Sequence, residues 1–440
     1  MCGARMRTLR LIPRFLWIGL VFASALVGYL FRRVTAGRLD ETGRERLRGS
    51  VLASTLERLG ATFVKFGQIL GSRPDLLGPG YIEALARLQD DVPSMPFETV
   101  ERVLAAELST AERARLRDID PTPIAAASVA QVHEARLDSG EAVALKIQRP
   151  EARAQIERDL ALLGIGARLL DVIPSLHLLA LPGAVERFGH ALASQLDFRL
   201  EPANNRRLGE NFADFKGVRV PDLHEELCTE RLLVMELIVG HKATHPENVK
   251  DRKARRRLAA RGGEAILKMV FEDGFVHADM HPGNILLQED GTLVFIDLGM
   301  VAEIPPDLMR PWIETFQALG SNDGKAAARL FYAYSPYVAT KDYAAYERDT
   351  MAFFGRFADK VLGEVEVSEV VGGMMNILRR HRVQVEPVFT VVNLGVLVAE
   401  GLGKQLDPDI DIVQMALPYL GQCLANAPEG RPPRREPPTA

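Results

Sequence analysis

Residues 15 to 31, FLWIGLVFASALVGYLF, carry no charge and are apolar almost throughout. Such a run lies at the short end of what spans a bilayer as a helix. From about residue 40 to 76 the period becomes helical, with Leu52, Leu56, Leu59 and Phe63 recurring on one face. That stretch ends in FVKFGQILGSRPDLL, where Lys65, Gln68, Ser72, Arg73 and Asp75 stand beside Gly67 and Gly71. A short helix, YIEALARLQ, follows, and a third runs from near Pro96 to about Leu116. The period then drops to two. PIAAASVAQVHEARL and EAVALKIQ, joined at Asp138-Ser139-Gly140, read as two strands of a hairpin. A long helical region, about 151 to 212, is interrupted around Pro174 and Pro182. VRVPDLHEEL and TERLLVMELIVG read as further strands, and a basic-flanked helix, about 254 to 273, leads into FEDGFVHADMHPGN. NILLQ and TLVFIDLG form another hairpin turned at Asp290-Gly291. From 305 to about 425 the pattern is helical, and the closing APEGRPPRREPPTA predicts a disordered tail.

Composition narrows this picture in three ways. The chain has 440 residues, enough for one or two sizeable cores, and 47% of them are hydrophobic. With 54 Lys+Arg against 58 Asp+Glu the net charge is −4, which argues against nucleic acid as a main partner. Cys2, Cys228 and Cys423 are too few and too scattered for a disulfide framework or a cysteine-built zinc site, which suits a reducing compartment. The apolar run is preceded by Arg5, Arg7, Arg10 and Arg14 and followed by Arg32 and Arg33. A cleaved signal peptide, with its small Ala23-Ser24-Ala25 triplet, fits this pattern, and so does a membrane anchor that spans the bilayer or lies in its interface. A buried helix is the third option, but no neighbouring segment stands out as its apolar partner.

Three separated pieces carry chemistry. On EAVALKIQ, Val143, Leu145 and Ile147 alternate with Ala144 and Lys146, so the apolar set faces a core and Lys146 projects from the other face beside small Ala144. In HADMHPGN, Asp279 is followed five residues later by Asn284, which puts a carboxylate base and an amide oxygen on one short loop. Asp297 ends the apolar strand TLVFI beside Leu298-Gly299, a placement suited to holding a divalent metal, with Gly letting the chain turn away. In this order, and on these elements, the three pieces reproduce the protein-kinase set of nucleotide lysine, catalytic-loop Asp and Asn, and metal-binding Asp-x-Gly. His277, Asp279 and His281 also alternate as metal ligands do on a strand, which leaves a metal-dependent hydrolase open, although Pro282-Gly283 breaks any strand there.

The sequence resembles the UbiB/AarF family of atypical kinase-like proteins, from about residue 50 to 330 and more loosely to about 420. Lys65-Phe66-Gly67-Gln68 matches the family's K-x-G-Q signature, and Ala125-Ala126-Ala127-Ser128 matches the alanine-rich loop that replaces the glycine-rich phosphate loop of ordinary kinases. The resemblance implies an α+β, two-lobed kinase-like fold with an N-terminal helical extension and additional C-terminal helices. Its expected divisions are 1–38 as anchor, 39–116 as extension, 117–236 as N-lobe, 237–426 as C-lobe and 427–440 as tail. It further implies ATP and Mg²⁺ as cofactors. Lys146, oriented by Glu201, contacts the α- and β-phosphates, Asn284 and Asp297 hold Mg²⁺, and Asp279 accepts the proton of the attacking hydroxyl or water. Met235, Glu236 and Ile238 fall at the interlobe hinge that meets adenine. Lys65 and Gln68 are expected to fold over the substrate cleft as a regulatory element. Gln195 and Asp197 align with the family's E-x-D motif, and Gln195 replaces its first carboxylate, so no charged pair with Lys65 forms there.

The implied activity is ATP-dependent phosphoryl transfer or ATP hydrolysis in support of isoprenoid quinone biosynthesis or lipid homeostasis. Its expected partners are a lipid or isoprenoid quinone precursor, the membrane through residues 15 to 31, and a biosynthetic complex. A catalytically weak nucleotide-binding scaffold and a protein kinase acting in trans are the alternatives. Three alanines forbid much of the positive-φ backbone that a glycine loop uses around phosphates, which predicts a differently shaped cradle. Because an ATP-using core belongs where ATP is, residues 15 to 31 read as an uncleaved anchor with the body on the cytoplasmic side. Arg38, Arg44, Arg46 and Arg48 form its inside-facing flank.

Overall fold

The computed structural model describes residues 2–35, 40–71, 77–85, 87–88, 93–172, 181–340, 342–357 and 367–438. The expected polar positions Ser72, Arg73 and Asp75, and the interruption at Pro174, lie outside these residues. The chain begins with helices α1 (Cys2–Thr35), α2 (Glu41–Leu59), α3 (Ala61–Gly71), α4 (Pro79–Leu85), α5 (Phe97–Glu107) and α6 (Thr110–Arg115). Strands β1 (Leu116–Arg117), β2 (Ala125–Ala126), β3 (Ala130–Leu137) and β4 (Ala142–Gln148) come next. Helices α7 (Ala152–Asp171), α8 (Leu181–Ser194) and α9 (Glu201–Asn211) precede β5 (Val218–Arg219), β6 (Leu232–Glu236) and β7 (His241–Lys242). Then α10 (Arg252–Phe271) leads to β8 (Phe275–His277), β9 (Ile285–Leu287), β10 (Leu293–Phe295) and β11 (Val301–Glu303). Six helices complete the described chain: α11 (Pro306–Gly320), α12 (Gly324–Tyr334), α13 (Tyr343–Gly355), α14 (Val367–Arg380), α15 (Pro387–Leu406) and α16 (Ile412–Asn426). The architecture is mixed α and β, as expected.

Two compact units divide these elements. The first comprises Met1–Arg73, Leu77–Pro202 and Asp222–Leu237, and the second is chiefly Ala203–Pro221 and Ile238–Ala440. In the first unit an antiparallel sheet has the order β1-β3-β4-β6, with β2 paired to β3. Val143, Leu145 and Ile147 on one face of β4 pack with Leu232, Val234, Val100 and Leu104 in a buried core. The β3–β4 hairpin turns where the sequence predicts, with Gly140 at φ 88°. PIAAASVAQVHEARL is not one strand, however. Its first part, β2, folds back on β3 after a turn closed by the Ala127 N–H donating to the Ala130 carbonyl at 2.8 Å.

The N-terminal helices form a second cluster in this unit. Val21 of α1 is buried with Ala53, Leu56 and Leu59 of α2 and Phe63 of α3. The apolar partner that the sequence left unrecognised is therefore the helical face of α2. Arg14 fixes the contact: its guanidinium donates to both carboxylate oxygens of Asp159 on α7, at 2.8 and 2.9 Å, and to the Leu59 carbonyl at 2.6 Å. Gly67 lets α3 approach its neighbours, because a Cβ there would stand 2.4 Å from Leu88 Cδ1 and 2.6 Å from Leu56 Cδ1.

The second unit holds a four-stranded sheet of order β5-β10-β9-β7 and the pair β11-β8. The β9–β10 hairpin forms as predicted, with Gly291 at φ 86°. Residues Ala203–Pro221 differ from expectation in grouping with this unit rather than with the N-lobe set. Leu208, Phe212, Val218 and Val220 bury in the second unit's core, and β5 runs parallel to β10. The segment HEEL forms a single 3-10 turn, Glu225–Leu227, instead of a strand. Trp312 stacks on Phe389 at 3.9 Å between ring centres, joining α11 to α15. The C-terminal segment also departs from the disorder expected of it. Arg431 forms a bidentate pair with Asp307 at 2.8 and 2.9 Å, Arg434 bonds Glu386, and Arg435 donates to the Ser335 carbonyl at 2.8 Å. These arginines find acceptors far away in sequence.

Candidate active site

In the first unit, β4 is an inner strand whose register sets Lys146 opposite Val132 on β3 and Leu233 on β6. Pleating sends the aliphatic neighbours into the core and Lys146 to the opposite face, as its alternation predicts. Lys146 is only 9% exposed there, and its Nζ donates to Glu201 Oε2 at 2.9 Å. Glu201 opens α9 and is itself 3% exposed. The Phe198 ring lies 5.1 Å from the ammonium and adds a cation–π contact. A buried pair of this kind contributes little net stability, because desolvation offsets much of the Coulombic attraction. Its consequence is positional: the ammonium is held at one place on the sheet.

The remaining expected residues of this unit lie around that face or on the adjoining helices. Ala125 and Ala126 pair with Val132 and Gln131 in a tight hairpin, with Ala127 exposed and Ser128 half-buried. Among the described residues the non-glycine positive-φ positions are Asp118, Asp297, Asn322 and Arg382, so none falls in the alanine loop. Arg149 braces the loop, donating to the carbonyls of Ala127 at 2.8 Å and Pro93 at 2.7 Å. Met235 pairs with Ala144 and Glu236 with Val143 on β4. The chain leaves the first unit after Leu237 and enters the second at Ile238. Lys65 and Gln68 lie half-buried on α3, and Gln68 donates to the Leu88 carbonyl at 3.3 Å. Gln195 is half-buried in the turn after α8. Asp197 has both carboxylate oxygens engaged by the Arg199 guanidinium at 2.8 Å, which holds its pKa below the ordinary carboxylate range.

In the second unit the acidic loop is organised around a histidine. His277 ends β8 and is 1% exposed. Its Nδ1 accepts the Asp279 backbone N–H at 3.2 Å, so the ring proton resides on Nε2, which donates to the Ile296 carbonyl at 3.2 Å. Burial lowers its pKa and keeps the ring neutral. With both nitrogens engaged, His277 is not a metal ligand, and the described residues contain no cluster of three or more His, Cys, Asp or Glu able to hold one. The hydrolase alternative loses its basis here. Asn284, buried, donates from Nδ2 to the Asp279 carbonyl at 3.0 Å, leaving its Oδ1 as the side-chain acceptor. The Ile296 N–H donates to the Asn284 carbonyl at 2.9 Å, linking the loop to the strand that ends at Asp297. Asp297 is exposed and takes the turn itself, at φ 60°, a conformation that costs a non-glycine residue about 1 kcal/mol or more.

Two oxygen donors, Asn284 Oδ1 and the Asp297 carboxylate, fit Mg²⁺ by chemistry. That ion takes one or two protein oxygens and completes its shell with phosphate and water, rather than using a full protein cage. Two supporting residues escaped the sequence reading. Asn204 on α9 donates to the Leu298 carbonyl at 2.9 Å, bracing the Asp297 turn, and His281 caps the Pro282–Asn284 turn by accepting the Gly283 N–H at 3.1 Å. An asparagine on a polar helix carries no signal of such a distant bond. The cap was legible in principle from a His immediately before Pro-Gly.

Residues 87–331 match the ABC1 atypical kinase-like domain, and residues 351–411 match the UbiB helical domain. The chain is 33% identical over 430 residues to a probable protein kinase UbiB of Shewanella woodyi, covering 95% of this chain and 78% of that one. It is 34% identical over 380 residues to the Aeromonas hydrophila protein of the same name, covering 85% and 70%. A Mycobacterium tuberculosis protein solved in complex with erythromycin shares the fold, with a TM-score of 0.50 and 22% identity over 78% of this chain and 91% of that one.

Proposed function

The chain belongs to the UbiB family of ABC1 atypical kinase-like proteins, and on that premise we propose that it is a membrane-associated atypical kinase or ATPase that uses ATP with Mg²⁺. The observation that carries this reading is the buried Lys146–Glu201 pair, which fixes an ammonium on the face of β4 opposite its core. In the proposed roles, Lys146 binds the α- and β-phosphates and Glu201 holds it in place. The Ala125–Ser128 hairpin supports the phosphates through its backbone, and Met235, Glu236 and Ile238 meet the adenine. Asn284 and Asp297 hold the metal, which when bound neutralises charge on the transferred phosphoryl group. Asp279 takes the proton of the attacking hydroxyl or water. His277 keeps the Asp279 backbone in position through its Nδ1. Lys65 and Gln68, with Gln195 and Asp197, form the regulatory set.

The proposed acceptor is water, a lipid or an isoprenoid quinone precursor, and the biological setting is isoprenoid quinone (ubiquinone) biosynthesis or lipid homeostasis, within a biosynthetic complex. Residues 15 to 31 attach the protein to the inner membrane, with its body on the cytoplasmic side. The absence of positive φ in the alanine loop favours one competing reading, a nucleotide-binding scaffold of low activity. Titration with a fluorescent ATP analogue, with and without Mg²⁺, tests the nucleotide half of the proposal. We expect saturable, Mg²⁺-strengthened binding that Asp297→Asn uncouples from the metal. Binding that ignores both Mg²⁺ and this substitution would overturn the metal assignment.

A further inference from the structure

The described helices of the first unit restrict how α1 meets a membrane. From Ile12 to Thr35 the helix is long and apolar enough to cross a bilayer, and almost none of that length is buried in the protein. It does not stand alone, however. Three polar groups along it find partners on neighbouring helices: Arg14 with Asp159 and Leu59, Ser24 with Arg58 at 2.7 Å, and Tyr29 with Arg48 at 3.4 Å. The pairs run in opposite directions along the two chains, so α2 lies antiparallel beside α1 over the same stretch that would have to cross. Arg44, Arg46, Arg48, Glu57 and Arg58 are exposed on α2. A crossing α1 would carry these charges into hydrocarbon, where ionised side chains are strongly disfavoured. At about 1.5 Å rise per residue, α1 is also roughly 50 Å long, well beyond a hydrocarbon core of about 30 Å.

The outer side of α1 has the opposite character. Phe15, Leu16, Leu20, Phe22, Leu26 and Phe31 are all about half exposed or more. Ile165 and Leu169, four residues apart on α7, and Val172 just beyond it are exposed as well. Arginines bracket the apolar stretch, Arg5, Arg7 and Arg10 before it and Arg32 and Arg33 after it, which complements an anionic leaflet.

We propose that α1 lies in the plane of one leaflet instead of crossing the bilayer, with its outer arc among the acyl chains and its inner stripe clamped by Arg14 to the body of the protein. This deepens, and rests on, the membrane attachment proposed above. Native Cys2 reports the topology directly. The full chain is reconstituted into sealed vesicles of phosphatidylethanolamine with phosphatidylglycerol. Parallel samples are treated from outside with a membrane-impermeant maleimide or with trypsin, and labelled Cys2 is counted by peptide mass. An in-plane helix keeps Cys2 on the side of the remaining chain, so in preparations whose orientation ratio lies well away from one half the fraction labelled at Cys2 equals the fraction that trypsin digests beyond residue 40. If α1 crosses, the two fractions are complementary, which overturns the in-plane placement and leaves membrane attachment standing. A chain that never sediments with the vesicles overturns both.

Discussion

At Lys146, strand alternation, burial and one carboxylate combine to fix a charge. Removing Glu201's charge while retaining a hydrogen bond isolates the orienting effect. Glu201→Gln is expected to lower turnover by on the order of 10- to 100-fold with a small change in thermal stability, read by steady-state ATP hydrolysis and calorimetry. Lys146→Ala leaves Glu201 buried without this partner and is expected to destabilise the first unit by about 3 kcal/mol, read by urea unfolding. His277 supplies a pH test. Its folded pKa is lowered, so the unfolded chain binds the proton more readily as pH falls past the ordinary histidine value of about 6.5. Stability of the second unit should be full above neutral pH and decline below about 6.5, and His277→Gln should remove part of that decline in pH-dependent unfolding curves. The residue types of this loop were legible because spacing alone puts Asp279 and Asn284 together. The engagement of both His277 nitrogens was not, since it depends on a carbonyl 19 residues away.

Among the elements, periodicity located most helices and both hairpins, because a face buried against a core imposes its own spacing. It failed where a long-range partner decides the outcome. The turn between β2 and β3 is braced by Arg149, which reaches back to the Ala127 carbonyl. The tie of α1 to α7 runs from Arg14 to Asp159, more than a hundred residues away in sequence. At Gly67 the helices approach so closely that any side chain collides, so Gly67→Val is expected to cost roughly 1–3 kcal/mol in the first unit, measured as a lowered unfolding midpoint. The C-terminal segment gives a kinetic test. Exposed ion pairs contribute about 0–1 kcal/mol, so Arg431→Ala should barely move the melting temperature while accelerating tryptic release of the last residues. Equal cleavage rates in the two proteins would contradict the docked arrangement.

Over the whole molecule, the order of the chemical pieces mattered more than any one of them. Lysine on a strand, Asp and Asn on a loop, and Asp at a strand end are each common, yet together they pointed to the family to which the chain belongs. The course of Ala203–Pro221 into the second unit was hidden, because helical spacing does not say which core a helix joins. The central claim is phosphoryl chemistry at Asp279. It is tested most directly by ATP turnover of the full chain against Asp279→Asn, in vesicles of phosphatidylethanolamine and phosphatidylglycerol with an added phenolic lipid mimic. The account predicts equal nucleotide binding and a loss of at least about 100-fold in turnover for the variant. Equal turnover by the two proteins, or binding by both with no turnover under any lipid condition, would contradict it.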